Sequence, residues 1–122
     1  MKILIVDDSA VVRTVVRQAL DMAGYTDIVE AVDGVAALAI AKAQGSELGL
    51  YVLDVNMPNM DGITLVGELR KLDPRSPIIM LTTETDKGKM TKAKELGATG
   101  WIVKPFDAEK FIGVIKLFVK KE

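Results

Sequence analysis

The sequence predicts an α/β protein in which five parallel strands form one sheet with helices on both faces. Three observations lead there. Short β-rich apolar runs alternate with stretches that carry helical spacing. The runs are continuously apolar instead of alternating, which is how strands buried on both faces read. Only a few residues separate each run from the next helix, so the chain has the βαβ order that gives right-handed crossovers. No linker, repeat or low-complexity segment interrupts residues 1–122, so a single domain is expected.

The first strand is Lys2 to Val6, stopped by Asp7-Asp8. Ser9 then serves as a helix N-cap. Beyond it Val11-Val12, Val15-Val16, Ala19-Leu20 and Ala23 recur about every four residues, which predicts a helix ended by Gly24. The valines alone would favour a strand, but they come in pairs and do not alternate singly. Ile28 to Val32 is the second strand, and Asp33-Gly34 a turn. Val35 to Gln44 is an Ala-rich helix stopped by Gly45. Leu50 to Leu53 is the third strand, closed by Asp54; Met57-Pro58 and Asp61-Gly62 punctuate the loop after it. Ile63, Val66, Leu69 and Leu72 mark a third helix, ended by Asp73-Pro74. Pro77 introduces Ile78 to Leu81, a fourth strand that stops at Thr82-Thr83-Glu84. A Lys-rich helix follows from about Asp86 to Leu96, closed by Gly97. Trp101 to Val103 is the fifth strand, ended by Lys104-Pro105. Asp107 caps a last helix whose apolar face is Phe111, Ile115, Phe118 and Val119.

Composition narrows the chemistry. Apolar residues make up 49 % and charged residues 27 % of the 122, enough for one core without disulfides. A net charge of −1 gives no basic field to attract nucleic acid or an anionic membrane. The chain has no Cys, which excludes disulfides and thiolate chemistry, and no His, which excludes imidazole as base, metal ligand or phosphoryl carrier. The apolar start is too short and too soon acidic for a signal peptide, and no run approaches the roughly 20 residues of a membrane span. A cytoplasmic location is expected.

Strand ends of a parallel sheet share one edge, so the strand stops read together as a site. Asp7 and Asp8 come from the first strand, Asp54 from the third, Thr82 from the fourth and Lys104 from the fifth. Two like charges ~4 Å apart at an effective dielectric of ~20 cost about 4 kcal/mol. Lys104 alone does not balance three acids, so a divalent cation is expected. All-oxygen ligands favour a hard ion, and few carboxylates with room for water favour Mg²⁺. A carboxylate nucleophile, a metal, a Lys and a hydroxyl suit phosphoryl transfer. Taken singly, Asp7 or Thr82 is an ordinary turn or cap residue. Their convergence is what marks a site.

Val6-Asp7-Asp8-Ser9, the run Asp54-Val55-Asn56-Met57-Pro58-Asn59-Met60-Asp61-Gly62, Thr82 and Lys104-Pro105-Phe106 resemble the receiver domains of two-component response regulators. The chain looks most like the single-domain chemotaxis regulators of the CheY type. The resemblance implies a flavodoxin-like fold with strand order 2-1-3-4-5. It implies that Asp54 accepts a phosphoryl group from a histidine kinase, with Mg²⁺ held by Asp7, Asp8, Asp54 and the Asn56 backbone carbonyl. Lys104 would pair with the phosphoryl group, and Thr82 would hydrogen-bond it and move inward. The Lys104–Pro105 bond would be cis. Asn56 and Glu84 would tune acyl-phosphate hydrolysis, here toward the fast chemotaxis type.

Family members usually carry Tyr or Phe where this chain has Trp101, and that ring swings in step with the Thr. A larger indole makes its burial less certain. Lys87, Lys89, Lys92 and Lys94, with Trp101, would belong to the output face, suited to an acidic or amphipathic partner. The implied partners are the kinase, a target such as the flagellar motor switch, and a phosphatase, with the chain itself monomeric and an enzyme only toward its own phosphoryl group. A phosphorelay intermediate is the alternative within this family. A flavin carrier of similar fold is disfavoured because Asp7-Asp8 would repel its phosphate. An Asp-nucleophile phosphohydrolase would keep an acid two residues after the nucleophile, where this chain has Asn56.

Overall fold

The computed structural model describes residues 1–83 and 87–119. Its elements run β1 (Lys2–Val6), α1 (Ala10–Met22), β2 (Ile28–Ala31), α2 (Gly34–Gln44), β3 (Leu48–Asp54), α3 (Gly62–Leu72), β4 (Ile78–Thr83), α4 (Lys87–Leu96), β5 (Gly100–Lys104) and α5 (Ala108–Phe118). All neighbouring strands are parallel, in the order β2-β1-β3-β4-β5. The chain runs from β1 outward to β2 and then returns past β1 to β3, so the order reverses between β1 and β3. Doubly wound sheets form their ligand crevice at such a reversal, beyond the carboxyl ends of the strands.

The apolar runs become strands with both faces covered. Side chains alternate across the sheet, so Ile3 and Ile5 join Leu50, Val52, Ile79 and Leu81 on one face. There they pack against Val16 and Leu20 of α1 and Phe111 and Ile115 of α5. Leu4, Val6, Tyr51, Leu53, Ile78 and Met80 take the other face, against Ala37 and Ala41 of α2, Leu65 and Leu69 of α3 and Met90 and Ala93 of α4. Each large side chain so buried contributes about 1.5–3 kcal/mol.

Several boundaries differ from the sequence reading: β2 stops at Ala31, one residue before Val32, and β5 runs from Gly100 through Lys104. β3 opens at Leu48, before its apolar run, because Leu48 pairs with Lys2 of β1 and its side chain is buried. A single 3₁₀ turn, Gly45–Glu47, connects it to α2. β4 continues through Thr83, which pairs with Lys104. The helix starts are set by side-chain caps: Ser9, Asp33, Asp61 and Asp107 accept from the backbone N–H groups of Val12, Ala36, Thr64 and Lys110. Such caps are each worth about 1 kcal/mol.

At the far end of the sheet Arg70 of α3 works as a clamp. Its guanidinium donates to the carbonyls of Gly97, Asp73 and Ser76 at 2.7–3.0 Å. Asp73 in turn accepts from the Tyr51 hydroxyl at 3.1 Å and from the Arg75 and Ser76 amides. Burial, with the nearby Asp73 charge, pushes the Tyr51 hydroxyl above its ordinary range.

The β3–α3 connection is held tightly. The Val55 amide donates to the Leu81 carbonyl at 3.1 Å, and the Gly62 amide to the Val55 carbonyl at 2.9 Å. Asn59 sits in the left-handed region at φ 70°, and its amide reaches the Asp33 carboxylate at 2.8 Å. Gly62 lies so close to the end of β3 that a Cβ there would overlap the Asp54 carbonyl oxygen. We therefore expect Gly62→Ala to lower stability by about 1–3 kcal/mol in urea denaturation, with a loss of divalent-ion response as the Asp54 backbone shifts.

Candidate functional site

The reversal between β1 and β3 carries the acids. β1 ends at Val6, so Asp7 and Asp8 follow directly, while Asp54 is the last residue of β3. Oxygens of Asp7, Asp8 and Asp54 lie within 4.8 Å of one another. Asp7 is fully buried, Asp54 is 6 % exposed and Asp8 faces solvent. The Ser9 amide fixes one Asp7 oxygen at 2.8 Å. Lys104, at the end of β5, reaches across with its ammonium 3.3 Å from the other Asp7 oxygen and 3.2 Å from Asp54.

The charges are poorly balanced. Burial and then the Asp7 charge push the Asp54 carboxyl above its ordinary value, only partly offset by Lys104 and by the nearby Asn56 backbone amide. Burial pulls the Lys104 ammonium down, but Asp54 and Asp7 together outweigh it and raise its pKa. Three carboxylates against one ammonium leave the cluster short of positive charge. A hard divalent cation fits this set: every donor is oxygen, the acids are close enough to share one ion, and the chain has neither His nor Cys to favour a softer metal.

The other sequence-predicted residues fall in different places. Thr82 is buried at the end of β4, paired in register with Val103. Asn56 is exposed two residues beyond Asp54. Trp101 lies on edge strand β5, 44 % exposed beside exposed Val103. Lys87 and Lys92 face solvent on α4, away from the acids. Lys89 does not simply belong with them: its ammonium donates to the Asn56 side-chain oxygen at 3.0 Å. Glu84 lies outside the described residues. The peptide bond between Lys104 and Pro105 is cis.

Sequence reasoning missed two contributors. Arg13 donates to the Asp7 carbonyl at 2.6 Å and pairs with Glu30 of β2 at 3.0 Å, so it braces the end of β1. No sequence pattern marks it, because its partners are a main-chain carbonyl six residues back and a carboxylate on another strand. Val11, Val12 and Val15 of α1 join Lys104, Pro105 and Phe106 around an apolar hollow beside the acids. The spacing of the valine pairs marks a helix and says nothing of how far it is covered: Val11 is 73 % exposed.

Comparison with known proteins places these features. The family model for the response regulator receiver domain matches residues 3–116. Chemotaxis protein CheY1 of Helicobacter pylori is 40 % identical over 109 residues, covering 87 % of this chain and 86 % of that protein. A probable transcriptional regulator, ycf27 of Porphyridium aerugineum, is 39 % identical over 98 % of this chain, which spans only about half (48 %) of that relative's length. Among solved structures, chemotaxis protein CheY4 of Vibrio cholerae superposes with a TM-score of 0.86 at 42 % identity, covering 97 % of this chain and 98 % of that one. The receiver domain of NtrX from Brucella abortus gives 0.88 at 29 % identity, covering 98 % and 99 %.

The raised Asp54 carboxyl has a consequence for stability. Below the unfolded value of 3.8 both states are protonated and no penalty exists; as pH rises through the raised folded value the penalty grows and is then complete. Without divalent ions, Asp54→Asn should therefore be more stable than the parent by on the order of 1 kcal/mol at pH 7. Urea midpoints at pH 4 and pH 7 check this, and the difference should shrink at the lower pH.

Proposed function

Because the chain belongs to the response regulator receiver domain family, we propose that Asp54 accepts a phosphoryl group from a histidine kinase. The observation that carries this reading is the nearly buried Asp54 carboxylate, 3.2 Å from Lys104 and grouped with Asp7 and Asp8. In the transfer an Asp54 carboxylate oxygen bonds to phosphorus while the bond to the donor imidazole nitrogen breaks, and the imidazole leaves with the electron pair. There is little covalent work for other residues to do, so positioning and charge neutralisation carry the reaction.

Each residue has a part in that. Lys104 holds Asp54 in place before transfer and pairs with the phosphoryl oxygens after it. Thr82 supplies a hydroxyl to one of those oxygens. Asp7, Asp8, Asp54 and the Asn56 carbonyl would hold Mg²⁺, which neutralises the charge of the transferred group when bound. The donor has to rest beside Asp54, and the apolar hollow of Val11, Val15 and Phe106 offers a surface for the protein that carries it. Asn56 and Glu84 tune how fast water removes the group, and a phosphatase would act on the same bond.

Phosphorylation acts as a switch by biasing two conformations that differ by a few kcal/mol. The target surface in this reading is the side of α4, β5 and α5: Trp101, Lys110, Val114 and Leu117 line a groove there, and α4 contributes the basic stretch of Lys87, Lys89 and Lys92. Chemotaxis relatives near 40 % identity support the flagellar motor switch as that target.

Incubation with acetyl phosphate and Mg²⁺ should load one phosphoryl group, seen by mass spectrometry, and Asp54→Asn should lose it entirely with the fold intact by circular dichroism. Trp101 is the only Trp, so its fluorescence reports the exposed face directly. Beryllofluoride with Mg²⁺ should change that emission in the parent chain and leave it unchanged in Asp54→Asn.

A further inference from the structure

The first turn of α4 holds Lys87 and Lys89, both exposed, at the end of the helix where the dipole disfavours cations. Lys89 is drawn out of that environment by a contact 33 residues away in sequence, donating at 3.0 Å to the Asn56 side chain. An ammonium has donors only, so the carboxamide oxygen must face Lys89 and the amide must face away. The same residue's backbone amide lies near enough to the Asp54 carboxylate to favour its charged form. Asn56 thus meets α4 through its side chain while its main chain runs just beyond the acceptor. The Lys89 ammonium is thereby held at a residue two positions after Asp54.

We propose that Lys89 is a positioning residue for the chemistry at Asp54: by holding the Asn56 carboxamide it slows hydrolysis of the acyl phosphate. This rests on Asp54 being the phosphoacceptor. In the hydrolysis a water oxygen bonds to phosphorus and the bond from phosphorus to the Asp54 oxygen breaks. Asp54 leaves with the electron pair as a carboxylate, and both water protons end on the phosphate as H₂PO₄⁻. Lys89 opposes this in two ways. It keeps an uncharged side chain fixed beside the acceptor, and its charge stabilises the anionic phosphoryl group before water attacks. Without it the carboxamide turns freely and water reaches phosphorus more often.

The test loads the full chain with radiolabelled acetyl phosphate and Mg²⁺, removes the donor and follows loss of label. Lys89→Ala should release phosphate at least roughly threefold faster than the parent, with Lys89→Arg restoring the parent rate within about twofold. In an Asn56→Ala background the Lys89→Ala change should have no further effect, an outcome that a merely structural role would not produce. An unchanged or longer lifetime in Lys89→Ala overturns the proposal, as does an acceleration that persists in full without the Asn56 side chain. If the parent chain takes up no label, the assignment of Asp54 as acceptor fails, and the role of Lys89 fails with it.

Discussion

The crowding of three carboxylates around one ammonium is the constraint on which the rest of the structure depends. Asp7, Asp8 and Asp54 would separate if the chain let them, yet their oxygens stay within 4.8 Å. What holds them is the frame behind: β1 and β3 run side by side in register from Ile3–Leu50 to Val6–Leu53, with every one of those side chains buried. A close-packed interior deforms little, so repulsion at the edge is met by changes in protonation, by cations and by Lys104 rather than by movement of the strands. The stability of the core is thereby turned into reactivity at its rim.

The same frame explains why the acids come from β1 and β3 and not from other pairs. The order of strands reverses between these two, so the helices that follow them leave toward opposite faces and open a crevice. α1 departs on the side of Phe111 and Ile115, α3 on the side of Met90 and Ala93. Lys104 then comes in from the outermost strand on the β4 side. Its reach to both buried acids links the edge of the sheet to its centre. Asn59 ties the β3–α3 loop to the cap of α2 through Asp33, whose carboxyl is held below its ordinary value chiefly by the Ala36 amide.

Much of this was legible in the sequence because strand ends in a parallel sheet are addressed by position. Five apolar runs and the residues that stop them are enough to put Asp7, Asp8, Asp54, Thr82 and Lys104 at one edge. Strand order came only from the family resemblance, since local pattern does not say which strands are neighbours. The early start of β3 escaped because Gly49 separates Leu48 from the apolar run, and only pairing with β1 extends the strand. Lys89 was read as one member of a charged face, since helical spacing says nothing about which neighbour a long side chain will reach. The exposed Val11 and Val15 escaped for a related reason: periodicity finds an apolar stripe but not how much of it the next element covers.

The Arg70 clamp gives α4 a mechanical character that its sequence does not suggest. Its guanidinium holds the Gly97 carbonyl just past the helix end, while the Ala98 and Thr99 amides are bonded to Ala93 and Ile78. The opposite end of the helix is tied to the β3–α3 loop through an exposed lysine. A ten-residue helix is about 15 Å long, so a hold at the Gly97 end is carried by one rigid rod to the first turn that Lys89 ties to Asn56. Displacement of such a rod is a pivot and not a slide. A rod pinned at one end swings most at the other, and for α4 the pinned end is the one that leads into β5.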